Sequence, residues 1–287
     1  MSISIAHLGP PGTYAEQAAI SYINILSENT DLKSFLCPYP TIAQTLRAVA
    51  QGQAELAVVP IENSIEGGVT MTLDTLWQLE DLQIQLALIL PIVHTFISCA
   101  TSLEEIKTVY SHPQGLAQCQ VWLEQYLPNV QLIAANSTTE ALEKLDSDLT
   151  AGAISSQRAA HLYNLPIMAK AINDRPENCT RFWVVSKGKI PNKYPVLGNG
   201  TSRTSLALSI PADMPGSLAK QLQVFANKGI NLTRIESRPT KLSLGTYVFF
   251  IDVEGDRKDE KMQSALAELD KQTEILKIFG SYQSVEL

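Results

Sequence analysis

Leu56-Ala57-Val58-Val59-Pro60-Ile61-Glu62-Asn63-Ser64 is an apolar run that ends in an acid, an amide and a hydroxyl. A short strand that is apolar on both faces is the kind buried on both sides in a parallel sheet, under covering helices. Polar groups at the C-terminal end of such a strand lie where an open α/β sheet places its ligand cleft. Two other strings have the same form: Ser111-His112-Pro113-Gln114 after an apolar strand at 106–110, and Thr180-Arg181-Phe182 at the entry to a strand at 181–186. Clusters so far apart in the chain imply a site assembled by folding, and hence a small-molecule enzyme or binding protein.

Outward from that strand, strand and helix signals alternate, which predicts an α/β fold. A strand at 2–8 runs into the turn Gly9-Pro10-Pro11-Gly12, and helical spacing follows over 14–26. Residues 41–50 read as a helix with Thr41 as N-cap and Ile42, Thr45, Leu46 and Val49 on one face. A helix at 72–78, strands at 82–90, 93–98 and 106–110, and a helix at 115–126 come next. After a strand at 130–134, the capping-box sequence Ser137-Thr138-Thr139-Glu140 opens a helix at 141–145. A strand at 152–154, a helix at 156–161 and strands at 167–172 and 181–186 complete this part. The order fits two lobes joined by crossing strands: one from about 1–78 and 166–186, the other from about 79–165.

Residues 187–202, punctuated by Gly188, Pro191, Pro195, Gly198 and Gly200, read as a linker. Beyond it, 203–287 has the order strand, helix, strand, strand, helix, strand, which is the ferredoxin-like βαββαβ arrangement.

Composition narrows the function. The chain has 287 residues, long enough for two compact domains, and a formal charge of -7 with no basic tract, which counts against nucleic acid as the partner. The N-terminus lacks a basic leader and an apolar core segment, and the apolar stretch at 86–97 is too short to span a bilayer. A cytoplasmic protein with no membrane partner is expected. Cys37, Cys99, Cys119 and Cys179 have neither metal-ligand spacing nor a Cys-x-x-Cys pair, so neither a metal nor a disulfide framework is expected. No G-x-G-x-x-G or P-loop occurs, which disfavours a nucleotide-dependent dehydrogenase.

The polar strings have bland readings as well. Glu62-Asn63-Ser64 with Gly67-Gly68 could be a turn and helix cap, although the Glu is harder to explain that way. His112 reads as a hydrogen-bonding wall residue, and Gln114 as the better candidate for ligand contact. Strand alternation sends Thr180 and Phe182 to one face and Arg181 to the other, which would suit Arg181 as an ion-pair partner.

Taken together and in order, Gly9-Pro10-Pro11-Gly12-Thr13-Tyr14, Pro60-Ile61-Glu62-Asn63-Ser64, Ser111-His112-Pro113-Gln114, Ser137-Thr138, Thr180-Arg181-Phe182 and Glu236-Ser237-Arg238-Pro239 resemble prephenate dehydratase with a C-terminal ACT regulatory domain. Gly115 stands where the family often has alanine or another residue after the Gln, and Ser217 where the regulatory loop often has alanine. No helical chorismate mutase segment precedes Ile3, as in the monofunctional form. The resemblance implies a two-lobed catalytic region similar to periplasmic binding proteins. It also implies loss of water and carbon dioxide from prephenate to give phenylpyruvate, without a cofactor.

From the resemblance, Thr180, Glu62, Asn63, Ser64 and Gln114 are the catalytic candidates, with Thr180 bonding the leaving hydroxyl. Glu62 is either a loop anchor or a proton carrier, the anchor being preferred. Thr13, Ser111, His112, Ser137, Thr138, Arg181 and Phe182 are the candidates for substrate binding. Arg181 or helix N-termini are expected to direct positive potential at the pyruvyl carboxylate, because a cation on the departing carboxylate would favour the ground state.

The family also implies phenylalanine as effector, held between subunits of a homodimer or homotetramer. Pro215, Gly216, Ser217 and Leu218 would grip its carboxylate, and Asn231 and Leu232 would close the pocket. Glu236, Ser237 and Arg238 are expected to contribute as well. Arogenate dehydratase is the near alternative, and a non-enzymatic small-acid receptor the distant one.

Overall fold

The structure is a computed structural model that describes residues 2–146, 148–188, 200–210 and 215–287. The chain opens with β1 (Ser2–Leu8), α1 (Tyr14–Asn29), β2 (Lys33–Tyr39), α2 (Ile42–Ala50), β3 (Leu56–Asn63), β4 (Gly67–Gly68), α3 (Thr70–Gln78) and β5 (Leu82–Pro91). It then crosses into β6 (His94–Ser98), β7 (Thr108–Ser111), α4 (Pro113–Ala117), α5 (Gln120–Tyr126), β8 (Gln131–Ala134), β9 (Ala151–Ser156), α6 (Gln157–Leu162) and β10 (Ile167–Lys170). It returns through β11 (Cys179–Lys187). The C-terminal part is β12 (Arg203–Ser209), α7 (Ser217–Asn227), β13 (Leu232–Pro239), β14 (Tyr247–Glu254), α8 (Glu260–Asp270), β15 (Ile275–Tyr282) and β16 (Ser284–Glu286).

These elements build two lobes and a third layer. The first lobe is a seven-stranded sheet in the order β16-β5-β11-β3-β1-β2, with β4 on β3. The second is a five-stranded sheet in the order β10-β6-β9-β7-β8. The C-terminal sheet, β13-β14-β12-β15, is the antiparallel order that a βαββαβ chain produces. The two crossings between lobes hold each other: Ile92 N donates to Asn178 O (2.8 Å) and Ile172 N to His94 O (3.0 Å).

Two-sided burial explains the apolar strands. One face of the large sheet, with Val58, Leu88, Phe182 and Val184, packs on α1. The opposite face, with Ala57, Val59, Ile61, Trp183 and Val185, packs on α2 and α3 and on Ala207, Phe250 and Tyr282 of the C-terminal sheet. Trp183 Nε1 donates to Tyr282 Oη across that junction (3.1 Å). Each large side chain buried there contributes about 1.5–3 kcal/mol.

One irregularity sets the site. In the antiparallel pair of β3 and β11, Pro60 stands opposite Phe182, Glu62 opposite Arg181 and Asn63 opposite Thr180. Ile61 is left over as the extra residue of a β-bulge, which shifts the phase of side-chain alternation. Before it, Val58 points to the α1 face; after it, Asn63 does, and Glu62 points the other way.

Several expectations are corrected. β5 lies in the first lobe and β10 in the second, so the lobes divide one strand later at each crossing than the expected 79–165 and 166–186. The reason is that β5 is apolar on both faces and needs a sheet covered on both sides, while β10 pairs with β6. The strand β2 escaped notice because it is half exposed at a sheet edge and carries Pro38. β16, which adds a parallel strand beside β5, was also missed. The expected helix at 115–126 breaks at Gln118 and Cys119 into α4 and α5. The segment at 141–145 is a 3-10 helix, Glu140–Lys144. Most of the expected linker, residues 189–199, lies outside the described residues.

Asp74 of α3 ties the C-terminal part down: it accepts from Arg238 (3.0 and 3.1 Å) and Lys241 (2.6 Å). Burial pushes its carboxyl up, but the bonds to Arg238 and Lys241 outweigh that and hold it below the usual carboxylate range. A depressed folded-state pKa stabilises above the unfolded value and stops doing so as pH falls through the folded one. The stability difference between the protein and Asp74→Asn should therefore be full at neutral pH and shrink below about pH 4. Urea unfolding over a pH series measures it.

Candidate active site

A cleft of about 830 Å³ opens between the lobes. Its floor is the α1 face of β3 and β11 beyond the bulge, which presents Asn63, Thr180 and Phe182. Thr13, N-cap of α1, lines one wall, where its Oγ1 accepts from Glu16 N (3.3 Å). The second lobe brings His112, Gln114, Ser137 and Thr138 to the other wall. His112 caps α4, accepting from Gln114 N through Nδ1 (3.3 Å), and burial holds its pKa down against the opposing charge of Glu66. Ser137 caps the 3-10 turn by accepting from Glu140 N (3.0 Å).

Thr180 is oriented by Asn63. Asn63 Oδ1 accepts from the backbone N–H groups of Ile65 and Glu66 (both 3.0 Å), which fixes the amide orientation. Its Nδ2 therefore faces Asn178 Oδ1 (2.8 Å) and Thr180 Oγ1 (2.9 Å). Because Thr180 accepts there, its own proton is available to a molecule in the cleft.

Four candidates lie elsewhere. Ser111 is fully buried and donates to Ile154 O (2.7 Å), outside the lining. Gly115 leaves room for that hydroxyl, since a Cβ there would lie 2.6 Å from Ser111 Oγ. Ser64 clamps the start of β11 by accepting from Cys179 N (3.0 Å). Glu62 and Arg181 are turned to the opposite face, where Arg181 Nη2 donates to Glu62 (2.7 Å) and to Asp252 of β14 (2.8 Å). Arg181 is thus an anchor between domains and does not send positive potential into the cleft; the bulge put Glu62 beside it.

Strand alternation also redirects two effector candidates. Glu236 and Arg238 pair with Phe250 and Val248 on the face that meets the catalytic lobe. Arg238 bonds Asp74, and Glu236 accepts from Arg234 (2.5 Å) and leaves no room for a Cβ at Gly68. Ser237 points away and is exposed. Pro215, Gly216, Ser217 and Leu218 form the start of α7, where Gly216 takes a left-handed conformation (φ 84°). Asn231 and Leu232 lead into β13, the edge strand of that sheet.

The sequence reading missed much of the cleft's polar machinery. Gln118, His94 and Asn178 form a buried chain with Tyr14 at one end and Asn63 at the other. His94 Nδ1 faces Tyr14 Oη (3.1 Å) and its Nε2 faces Gln118 Oε1 (2.9 Å), which also accepts from Asn178 Nδ2 (2.9 Å). Burial lowers the His94 pKa, only partly offset by Gln118, and raises that of Tyr14, so both are neutral. A histidine inside an apolar strand was the one available signal. Among the described residues the lining carries Glu66, Glu140 and Glu143 and no Lys or Arg. None of the described His, Cys, Asp and Glu residues group to hold a metal ion, and no described helix is long and apolar enough to cross a membrane.

Comparison with known proteins matches the prephenate dehydratase family profile over residues 5–190. The chain belongs to the prephenate dehydratase family. An ACT domain profile matches residues 204–271. A bifunctional chorismate mutase/prephenate dehydratase of Aquifex aeolicus is 40% identical, over 98% of this chain and 73% of its own. A prephenate dehydratase of Methanocaldococcus jannaschii is 36% identical over 98% of both chains. The crystal structure of prephenate dehydratase from Arthrobacter aurescens, solved in complex with L-Phe, is 34% identical and superposes with a TM-score of 0.86. It covers 98% of this chain and 90% of its own.

Since Glu62 faces Arg181 and Arg234 instead of the cleft, Glu62→Gln should keep kcat on prephenate within about threefold while lowering the melting temperature. A kcat loss of about 10²-fold or more would restore Glu62 to the chemistry.

Proposed function

We infer that this protein is a lyase that converts prephenate to phenylpyruvate, water and carbon dioxide in phenylalanine biosynthesis, under control by phenylalanine. The observation that carries the reading is the placement of Thr180: its oxygen accepts from Asn63 at the cleft floor, so its proton points to bound substrate. In the reaction the electrons of the ring–carboxylate bond enter the ring, the carbon–oxygen bond of the ring hydroxyl breaks, and the departing oxygen takes a proton. Aromatisation supplies the driving force.

Thr180 bonds the departing oxygen, either stabilising it or relaying a proton. Such positioned donation accelerates a reaction by about 10²–10⁴-fold. Neutral donors around the substrate suit this chemistry. A cation on the carboxylate that leaves would stabilise the ground state more than a transition state losing that charge. Gln114, Ser137 and Thr138 line the cleft and would orient the carboxylates by hydrogen bonds, while the Thr13 hydroxyl donates to Leu8 O (3.1 Å) and Phe182 lies in the floor.

For regulation, 1–186 is assigned to catalysis, 187–202 to a linker and 203–287 to the effector, except that β16 at the end of the chain joins the catalytic sheet beside β5. Phenylalanine would sit at the start of α7, completed by Asn231 and Leu232 of another subunit. Support for a homodimer or homotetramer comes from the unpaired edge β13, with Ile235, Leu242, Leu244 and Tyr247 exposed around it.

Phenylpyruvate absorbance tests both halves. Thr180→Ser should keep much of the rate, and Thr180→Val should lose about 10²–10⁴-fold; a fully active Thr180→Val enzyme removes Thr180 from the mechanism. Competing prephenate with arogenate in one assay fixes the substrate. Added phenylalanine should change activity or quaternary state, because an effector acts only through unequal affinity for two states.

A further inference from the structure

We propose that Glu66 and Asn178 are positioning residues that fix the direction of one hydrogen-bond chain, so that the Thr180 proton is aimed at substrate. The proposal rests on Thr180 as the donor to the departing oxygen. It goes beyond that reading by naming what orients the donor.

The chain runs Glu66, Gln118, Asn178, Asn63, Thr180, and each link has one allowed sense. A carboxylate accepts, and Gln118 accordingly turns its Nε2 to Glu66 Oε1 (3.2 Å). Gln118 Oε1 is then the atom left for Asn178 Nδ2 (2.9 Å) and for His94 Nε2 (2.9 Å). Asn178 accordingly offers Oδ1 to Asn63 Nδ2 (2.8 Å), and Asn63 donates to Thr180 (2.9 Å). The far end agrees, because Asn63 Oδ1 is held by two backbone N–H groups. Asn178 is 1% exposed and Gln118 8%, so water does not compete for the bond between them, whereas Glu66 at the end of the chain is exposed.

His94 adapts to the chain and does not direct it. Tyr14 Oη can donate to His94 Nδ1 or to Val93 O (2.9 Å), so the neutral imidazole can present Nε2 as donor or as acceptor. The chain also spans the cleft: Asn63 and Thr180 belong to the first lobe, and Gln118 lies in the break between α4 and α5 of the second. Asn63 is already turned toward Thr180 by its own lobe, so the meeting of Glu66 and Gln118 across the lobes adds Asn178 as a second restraint on that orientation.

A double-mutant cycle tests this with the intact protein and prephenate. Asn178→Asp keeps the shape but sets an oxygen against Gln118 Oε1, and its charge draws the Asn63 hydrogens away from Thr180. It should lower kcat by about 10- to 100-fold and leave KM within about threefold. In the Glu66→Gln background Gln118 can reverse, donating to the carboxylate introduced at position 178 while accepting from the amide introduced at position 66. The loss caused by Asn178→Asp should then shrink by about tenfold. Gln118→Glu repeats the test from the other side: it opposes Glu66, and Glu66→Gln should relieve it. That pair decides if Asn178→Asp gives no cooperative melt. Equal losses in both Glu66 backgrounds, or an Asn178→Asp enzyme with unchanged kcat, would overturn the proposal alone. A wild-type protein inert on prephenate and arogenate overturns the proposed function and this proposal with it.

Discussion

One surplus residue in β3 governs the arrangement. Without Ile61 as a bulge, the two-residue period of the strand would keep Glu62 on the side of Val58 and Pro60, toward the cleft. Asn63 would then lie with Val59 against the C-terminal sheet. The bulge reverses this, and the regular alternation of β11 completes it: Thr180 joins Asn63, and Arg181 joins Glu62. Neighbours in sequence thus serve different partners, and the reactive floor and the regulatory contact are opposite sides of the same two strands.

The charges follow from that division. Arg181 lies buried between Glu62 and Asp252, and Asp252 also accepts from Ser205 (2.6 Å). Burying such ions is costly, and losing one partner leaves an uncompensated charge. This makes the junction intolerant of sliding, a property that suits a contact meant to report on the ACT domain. On the cleft side the floor is neutral, and its orientation comes from amide dipoles whose directions reinforce one another.

Some of this was legible in residues. The apolar run before Glu62 announced a strand covered on both sides, and the element order after the linker announced the ACT sheet. Alternation around Thr180 correctly separated Arg181 from Thr180 and Phe182, yet Arg181 was still carried over as a substrate contact. Ser111 was misjudged because a hydroxyl at a strand end looks the same whether it faces a cleft or, as here, caps Ile154 O. Gln118 gave no warning, since a glutamine within helical spacing is ordinary and only the break between α4 and α5 turns it inward.

Local chemistry, by itself, settled what local chemistry controls: most of the strand and helix order, capping residues such as Thr41 and Ser137, and the set of polar strings available for a site. Membership of the family was also readable there, because the strings occur in a fixed order. Which side each of those residues faces was settled only by folding. A bulge is a property of two paired strands, and the direction of an amide depends on its partners. Glu66, Gln118, Asn178 and Asn63 acquire a common direction only when two lobes bring them within hydrogen-bond distance.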